Sequence, residues 1–338
     1  MLFRSNGWAA LEKLGLADDL RNAATNLCEI NVRDLVTGAT LTRVELVGPY
    51  VSLTRSDIAK TISEALALEP GFQRIEAKIS HVVQVSPQHG ADVKLLLDNG
   101  QILRVDALVA ADGVSGLGRR YVTSHDIDTP GRKRPHDRIA MRSVIETGSS
   151  FPRFFTQQHS NLWLGNGAHI VHYPLEHGNR VNIVVTLKPS EANASWKERL
   201  LGSNEILASL IALPEIKWAK TAIPSERFEP CWRRGRVVLA GDSAHPMPPN
   251  LAQGAGQSLE DAACLLRWLS ESRSIDVALS GYVRERTSAV GRIFNKACTS
   301  SRIMAMGGTS ASLRNMAFGL GGSNLLNNWL SDVWNSHR

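Results

Sequence analysis

An acid that ends an apolar run and a glycine turn that opens a helix carry the densest chemistry in this sequence. Asp242 follows VVLAG (237–241), and the run bounded by Arg236 and Asp242 predicts a buried strand with the acid at its carboxyl end. Ligands of open α/β sheets bind at that end of the strands. A carboxylate there either accepts hydrogen bonds from sugar or sugar-alcohol hydroxyls or caps the next turn. Gln253, Gly254, Ala255 and Gly256 then lead into a helix whose apolar side carries Leu259, Ala262, Ala263, Leu266 and Leu269. Glycines 254 and 256 either let a flat ligand approach the backbone or make a flexible turn. The free N–H groups of a helix start favour an anionic or electron-accepting partner. Ser243 and His245 beside Asp242 do not make a hydrolase triad: they are too close in sequence to converge, and no G-x-S-x-G elbow occurs. His245, just before Pro246, reads as a packed, hydrogen-bonded histidine.

These groups need a scaffold, and the periodicity outlines one. Trp8, Leu11 and Leu14 predict a helix that stops at Gly15, and Ile58, Ile62, Ala65 and Leu66 predict a second, with Ser56 as its N-cap. From Ile75 the period becomes that of strands: ISHVVQV, DVKLLL and QILRV, the last two joined by a hairpin at Asp98-Asn99-Gly100. VDALVAADG then reads as a buried strand of a parallel sheet, ending at Asp112-Gly113. Polar, Pro-rich residues 124–138 mark a domain junction. Beyond it IAMRSVIE, NLWLG, AHIVHYPL and RVNIVVTL predict an antiparallel sheet, the last two strands joined around Gly178-Asn179, followed by a helical pair in SWKERLLG and SNEILASLIAL.

Composition narrows the class. A length of 338 residues allows two or three packed units, and 43% hydrophobic with 21% charged residues is that of a globular protein. The net charge of +6 is spread along the chain without a basic tail, which argues against nucleic acid as a partner. Cys28, Cys231, Cys264 and Cys298 form no CxxC pair, so neither zinc nor a redox motif is expected and a reduced, cytoplasmic setting is. No apolar run approaches the roughly 18 residues of a membrane span, and the first residues lack a signal peptide's apolar core.

Taken together, Gly241-Asp242-Ser243-Ala244-His245-Pro246, Ala252-Gln253-Gly254-Ala255-Gly256 and Glu260-Asp261-Ala262 resemble the second flavin motif of the single-component, FAD-dependent aromatic hydroxylases, the group of salicylate, 3-hydroxybenzoate and p-hydroxybenzoate hydroxylases. LVAADGVSGLGRR resembles that family's Asp-Gly motif, departing where Gly116 replaces a usual serine while Arg119 falls as expected. The resemblance implies cofactor-binding roles for Arg55, Asp112, Gly113, Gly241, Asp242, Gln253, Gly254, Ala255 and Gly256. Arg55 would open a helix and contact FAD; its alternative is a surface arginine at a helix start. GAHIVHYPLEHGNRVNIVV is similar to the salicylate and 3-hydroxybenzoate branch, which implies that His169 and Tyr173 line the substrate pocket and are the catalytic candidates. Four apart on a strand, they share a face, whether as pocket or as a half-buried surface with polar tips.

The implied fold is mixed α/β: a Rossmann-like FAD/NAD(P)-binding domain of the p-hydroxybenzoate hydroxylase type with an inserted antiparallel substrate sheet. Its expected extents are 1–130 for the FAD-binding domain, 131–230 for the sheet, 231–300 for the returning FAD-binding segment and 301–338 for C-terminal helices. The implied activity is hydroxylation of a phenolic acid with FAD, NADH or NADPH, and O2; a small aromatic substrate is the partner, a homodimer is compatible with it, and no metal is needed. The family opens with a strand, G-x-G-x-x-G and a helix, and this sequence has no such unit, since Gly319-Leu320-Gly321-Gly322 follows a helical pattern. An N-terminally truncated FAD domain is therefore expected, with weak FAD retention and with Val109 and Val238 partly uncovered. Two alternatives stand: a non-catalytic interaction module using Trp329, Trp334 and the C-terminal helix, and an oxidoreductase of a heterocycle such as urate or hydroxynicotinate.

Overall fold

Short elements pack on one another at the start of the chain: β1 (Leu2–Phe3), α1 (Ser5–Lys13), α2 (Ala17–Arg21), β2 (Thr25–Asn26), β3 (Glu29–Asp34), β4 (Thr40–Glu45), β5 (Val51–Ser52) and α3 (Arg55–Ala67). The structure is a computed structural model and describes residues 1–84, 93–123, 136–148, 151–193, 196–201, 204–213, 216–224 and 228–334. α1 ends where expected. Gly15 at φ +71° lets its own N–H reach Glu12 O (3.0 Å) and Leu16 N–H reach Leu11 O (2.9 Å), a closure that a left-handed residue permits. The start of α3 differs from expectation, because Thr54 and not Ser56 caps it. Asp57 N–H donates to Thr54 Oγ1 (3.1 Å) while Thr54 N–H donates to the Asp57 carboxylate (3.3 Å), so two orphan donors are satisfied reciprocally.

A three-stranded meander follows, β6 (Ile79–Gln84), β7 (Val93–Leu97) and β8 (Ile102–Val105), with Gly100 at φ +83° in the expected hairpin. Then come β9 (Leu108–Ala110), α4 (Leu117–Thr123), β10 (His136–Glu146), α5 (Arg153–Thr156), β11 (His159–Leu164), β12 (His169–Leu175), β13 (Arg180–Leu187), α6 (Trp196–Leu201), α7 (Glu205–Ile211) and β14 (Ala219–Pro224). The expected junction lies mostly at 124–135, outside the described residues. The chain closes with β15 (Arg233–Arg234), β16 (Val237–Leu239), α8 (Gly254–Glu271), α9 (Ile275–Met304) and α10 (Thr309–Trp334).

The large sheet has the order β14-β10-β13-β12-β11-β3-β4. All its pairs are antiparallel except β11 with β3, so residues 29–45, expected in the FAD-binding unit, lend it two strands. Alternation along β12 decides what each face does. Ile170 joins Trp163, Ile183 and Val185 in a core closed by Leu207, Leu210 and Ile211 of α7. Val171, Tyr173 and Leu175 point the other way and pack with Ile30, Val44, Leu251, Ile293, Ala297 and Leu330, so α9 and α10 cover part of that face. Trp329, named in the interaction-module alternative, is half-buried against this packing and donates to Ser300 Oγ (3.1 Å). The Trp334 side chain lies outside the described residues.

β9 runs parallel to β16 in a small sheet ordered β15-β16-β9, with β9 at its edge among the described residues. Of the two valines expected to be uncovered, Val109 is 43% exposed but Val238 is fully buried. Cys264, Leu265, Leu279 and Tyr282 cover Val238, because α8 and α9 pack on that side of β16 whatever lies beyond β9.

Candidate active site

Parallel pairing brings the carboxyl ends of β9 and β16 together, and with them the Asp112-Gly113 and Gly241-Asp242 turns. Ser243 ties the two: Gly113 N–H donates to Ser243 Oγ (2.7 Å), which in turn donates to Asp112 Oδ1 (3.1 Å). The other oxygen of Asp112 accepts from Gly118 N–H (2.8 Å) at the start of α4. A Cβ at position 116 would lie 2.1 Å from the Asp112 carboxyl carbon, which explains why glycine stands where the resemblance leads one to expect serine. The buried Arg119 donates to Ser243 O (2.6 Å) and Ala244 O (3.2 Å), clamping the turn after β16. Asp112 thus holds the scaffold, whereas Gly113, at φ +84° with nothing near its missing Cβ, stays open to an approaching ligand.

Asp242 is exposed and has no hydrogen-bond partner among the described residues; its Oδ1 lies 3.9 Å from where a Cβ of Gly254 would sit. The chain then turns through Leu251, which reaches the large sheet, and Ala252, held at φ +53°. A side chain rarely adopts that conformation, and here it aims the next residues at the helix start. Gln253 points inward: its Oε1 accepts from Asn6 Nδ2 (2.8 Å) and Gln257 Nε2 (3.1 Å). The smallness of Gly256 serves a helix crossing, since a Cβ on Gly7 of α1 would lie 3.1 Å from Gly256 Cα. Ala255 packs against the core around Phe3 and Trp8. Of the turn residues expected to bind a cofactor, Asp242 and Gly254 are the ones left facing outward.

Behind α8 lies a buried charged network. Arg286 of α9 donates to Asp261 Oδ1 (2.7 Å), Glu260 Oε2 (2.8 Å) and Gln257 Oε1 (2.7 Å). Asp261 Oδ2 accepts from Gly241 N–H (2.9 Å) and pairs with His245 Nε2 (2.6 Å). Burial alone would raise the Asp261 pKa, but His245 and Arg286 beside it bring its carboxyl below the usual range. His245, stacked on Trp232 at 5.3 Å between centroids, is the packed and bonded histidine that the sequence indicates.

On the sheet, His169 and Tyr173 share a face but are about 13 Å apart along the strand. Burial, with Arg138 and Arg314 nearby, pulls the His169 pKa down to about 3, so the ring is neutral at physiological pH. Burial and Tyr50 push the Tyr173 phenol up, against a smaller opposing pull from Arg142 and Arg55. Tyr173 packs in one cluster with Leu251, and Arg55 stands exposed at the first turn of α3.

Residues 8–297 match the family of the FAD binding domain. The chain belongs to this family of flavoprotein monooxygenases. It is 32% identical over 279 residues to 3-hydroxybenzoate 6-hydroxylase 2 of Aquipseudomonas alcaligenes, spanning 79% of this chain and 83% of that one. It is 27% identical over 320 residues to a 3-hydroxybenzoate 6-hydroxylase of Klebsiella oxytoca, spanning 86% and 78%. Klebsiella pneumoniae HpxO, solved with FAD and uric acid, shares the fold at a TM-score of 0.84 with 19% identity, over 99% of this chain and 87% of that one.

FAD is this family's cofactor, and the outward-facing groups fit its flavin-bearing end. Asp242 is an unpaired acceptor suited to hydroxyls, and the Gly254 and Gly113 backbones leave the room that a Cβ would fill. On its far side β9 has no strand partner among the described residues. Sequence reasoning assigned no role to Arg286, Glu260 or Asp261, and passed over Arg142 and Asn182. The last two left a signal: each is a polar residue within a largely apolar strand, in IAMRSVIE and RVNIVVTL.

Proposed function

We propose that this chain hydroxylates a phenolic aromatic acid, with FAD, NADH or NADPH, and O2, in the cytoplasm. One observation carries the reading: Leu251, from the turn between Asp242 and Gly254, packs with Tyr173 and Val171, so the cofactor-motif loop and the sheet face form one site. The phenolic-acid class follows from relatives that are hydroxybenzoate hydroxylases. Four free cysteines support a reducing setting, and among the described residues no helix is long and apolar enough to cross a membrane.

Bound FAD supplies the oxygen-activating redox chemistry. Asp242, Gly254, Gly113 and Arg55 bind the cofactor, while Gly241, Gln253, Ala255, Gly256 and Asp112 shape the loops that present those groups. His169 and Tyr173 line the ring pocket. A neutral His169 accepts a hydrogen bond from the phenol without placing a positive charge beside it, and the protonated Tyr173 donates. Val171 and the α9–α10 packing keep water from that face.

The test supplies the purified chain with FAD and follows NADH and NADPH oxidation, O2 uptake and products by mass spectrometry, with and without 3-hydroxybenzoate or salicylate. The expected result is acid-dependent consumption and a product heavier by one oxygen atom. Consumption indifferent to every phenolic acid, with no hydroxylated product, overturns the reading. In His169→Ala the reductant is expected to be consumed without matching product.

A further inference from the structure

On the open part of the large sheet Arg142 and Asn182 each hold a buried N–H group with no partner among the described residues, and Tyr173 stands beside them. Arg142 of β10 is half-buried, makes no hydrogen bond or ion pair among the described residues, and has its Nε sealed from water. Asn182 of β13 has its Nδ2 buried and unpartnered in the same way. Register puts them side by side: Arg142 stands opposite Val184, two residues from Asn182, and Asn182 stands opposite Tyr173. The phenol of Tyr173 senses the charges of both Arg142 and Arg55.

Among the described residues no acceptor on that face bonds Arg142 Nε or Asn182 Nδ2. The neighbours of Arg142 there are Ala140, Val144, Val184 and Ala219. Glu146, further along β10 on the same face, is bonded to Arg180 (3.1 Å). A buried donor without a partner costs free energy, and a buried charge costs more, so such a cluster persists most readily where a ligand completes it. Guanidinium, carboxamide N–H and phenol O–H all donate, which selects an acceptor; the planar fork of arginine matches a carboxylate. Beside this trio, Val171 stands opposite Val184, both half-buried, and beyond them His169 stands opposite Thr186. The face therefore runs from donors through an apolar step to a neutral histidine.

We propose that Arg142 and Asn182, together with Tyr173, anchor the carboxylate of the aromatic acid, so that the ring lies on Val171 and Val184 with its hydroxyl toward His169. This rests on the phenolic-acid reading above and names the residues that select the acid.

The test measures equilibrium binding, by calorimetry on FAD-supplied protein, of 3-hydroxybenzoate and of its neutral analogue 3-hydroxybenzamide. Arg142→Gln is expected to weaken the acid by about 10- to 100-fold and the amide by less than about threefold, as loss of one charge-assisted contact requires. Asn182→Leu should shift the acid in the same direction by less, and Arg142→Lys should recover part of the loss, because the charge returns without the fork. Unchanged affinity for the acid overturns the anchor, as does equal weakening of both ligands or a wild-type protein that binds no phenolic acid. The two readings fail separately. Arg142-dependent binding without hydroxylation leaves the anchor standing and the enzyme reading fallen; undiminished hydroxylation and acid affinity in Arg142→Gln do the reverse.

Discussion

Behind α8 the charged groups bond one another, and on the facing surface of the large sheet Arg142 Nε and Asn182 Nδ2 have no partner among the described residues. Arg286 alone bonds two carboxylates and an amide, and in that network Asn6 Oδ1 and His245 Nδ1 are left over among the described residues. Arg142 has none of this, although its Nε too is buried. The difference separates scaffold from site. A satisfied buried network specifies one arrangement of Gly241, Gln253 and the start of α8, whereas donors left unsatisfied are an arrangement waiting for an acceptor. His172 shows that lack of partners is not enough by itself: both its ring nitrogens are unpartnered, yet Phe154, Phe155 and Trp163 enclose it on the opposite face and it is fully buried.

The contrast breaks most sharply at the two arginines. Arg286→Met would leave Glu260 and Asp261 buried without their cation, and is expected to cost about 3–5 kcal/mol in denaturant unfolding. Arg142→Met should stay within about 0.5 kcal/mol of wild type, because no hydrogen bond or ion pair among the described residues is lost. Equal costs would erase the distinction between scaffold and site. At the next level, Asp242→Ala removes an exposed acceptor and should leave stability unchanged while weakening FAD in a fluorescence titration by roughly tenfold or more.

A pH series sharpens the comparison of the two sheet faces. His169 and His172 both have pKa values lowered from 6.5 to about 3, in each case chiefly by burial. Below pH 6.5 the unfolded chain takes up protons that the native rings refuse, so stability is full above that pH and falls as pH drops toward 3. Each histidine contributes a slope of about 1.4 kcal/mol per pH unit in that window. His172→Phe should remove one of the two slopes and leave ligand binding alone; a slope unchanged in that variant would show that His172 is not buried neutral. The smallest expected effect is at Ala252, where glycine relieves the left-handed strain and should change stability by no more than about 1 kcal/mol, read from the unfolding midpoint.

Much of this architecture was legible in the residues. Gly15 and the Asn99-Gly100 hairpin were readable because positive φ has few occupants, and β9, β16 and the strands of the sheet because apolar period and run length mark them. The cap of α3 slipped by two residues because Thr54, Ser56 and Asp57 all carry capping oxygens, and backbone direction chose among them. Residues 29–45 were not placed in the large sheet because pairing of β3 with β11 joins segments more than a hundred residues apart, and local periodicity says nothing about partners. For the same reason Gln253 and Gly256 read as ligand-facing: only the crossing of α1 over α8 shows that Asn6 and Gly7 already occupy them.

Residue chemistry along the chain determines that a carboxylate ends a strand, that a glycine turn opens a helix, and that both belong to an FAD-binding family, because these are properties of short segments. Which carboxylate faces outward was left to packing: Asp242 and Asp261 are alike in composition, and they part company because α9 brings Arg286 to one and nothing to the other. The same holds on the sheet, where strand register sets Arg142, Asn182 and Tyr173 side by side. Partnership is a property of distance in space, and distance in space is what the tertiary fold supplies.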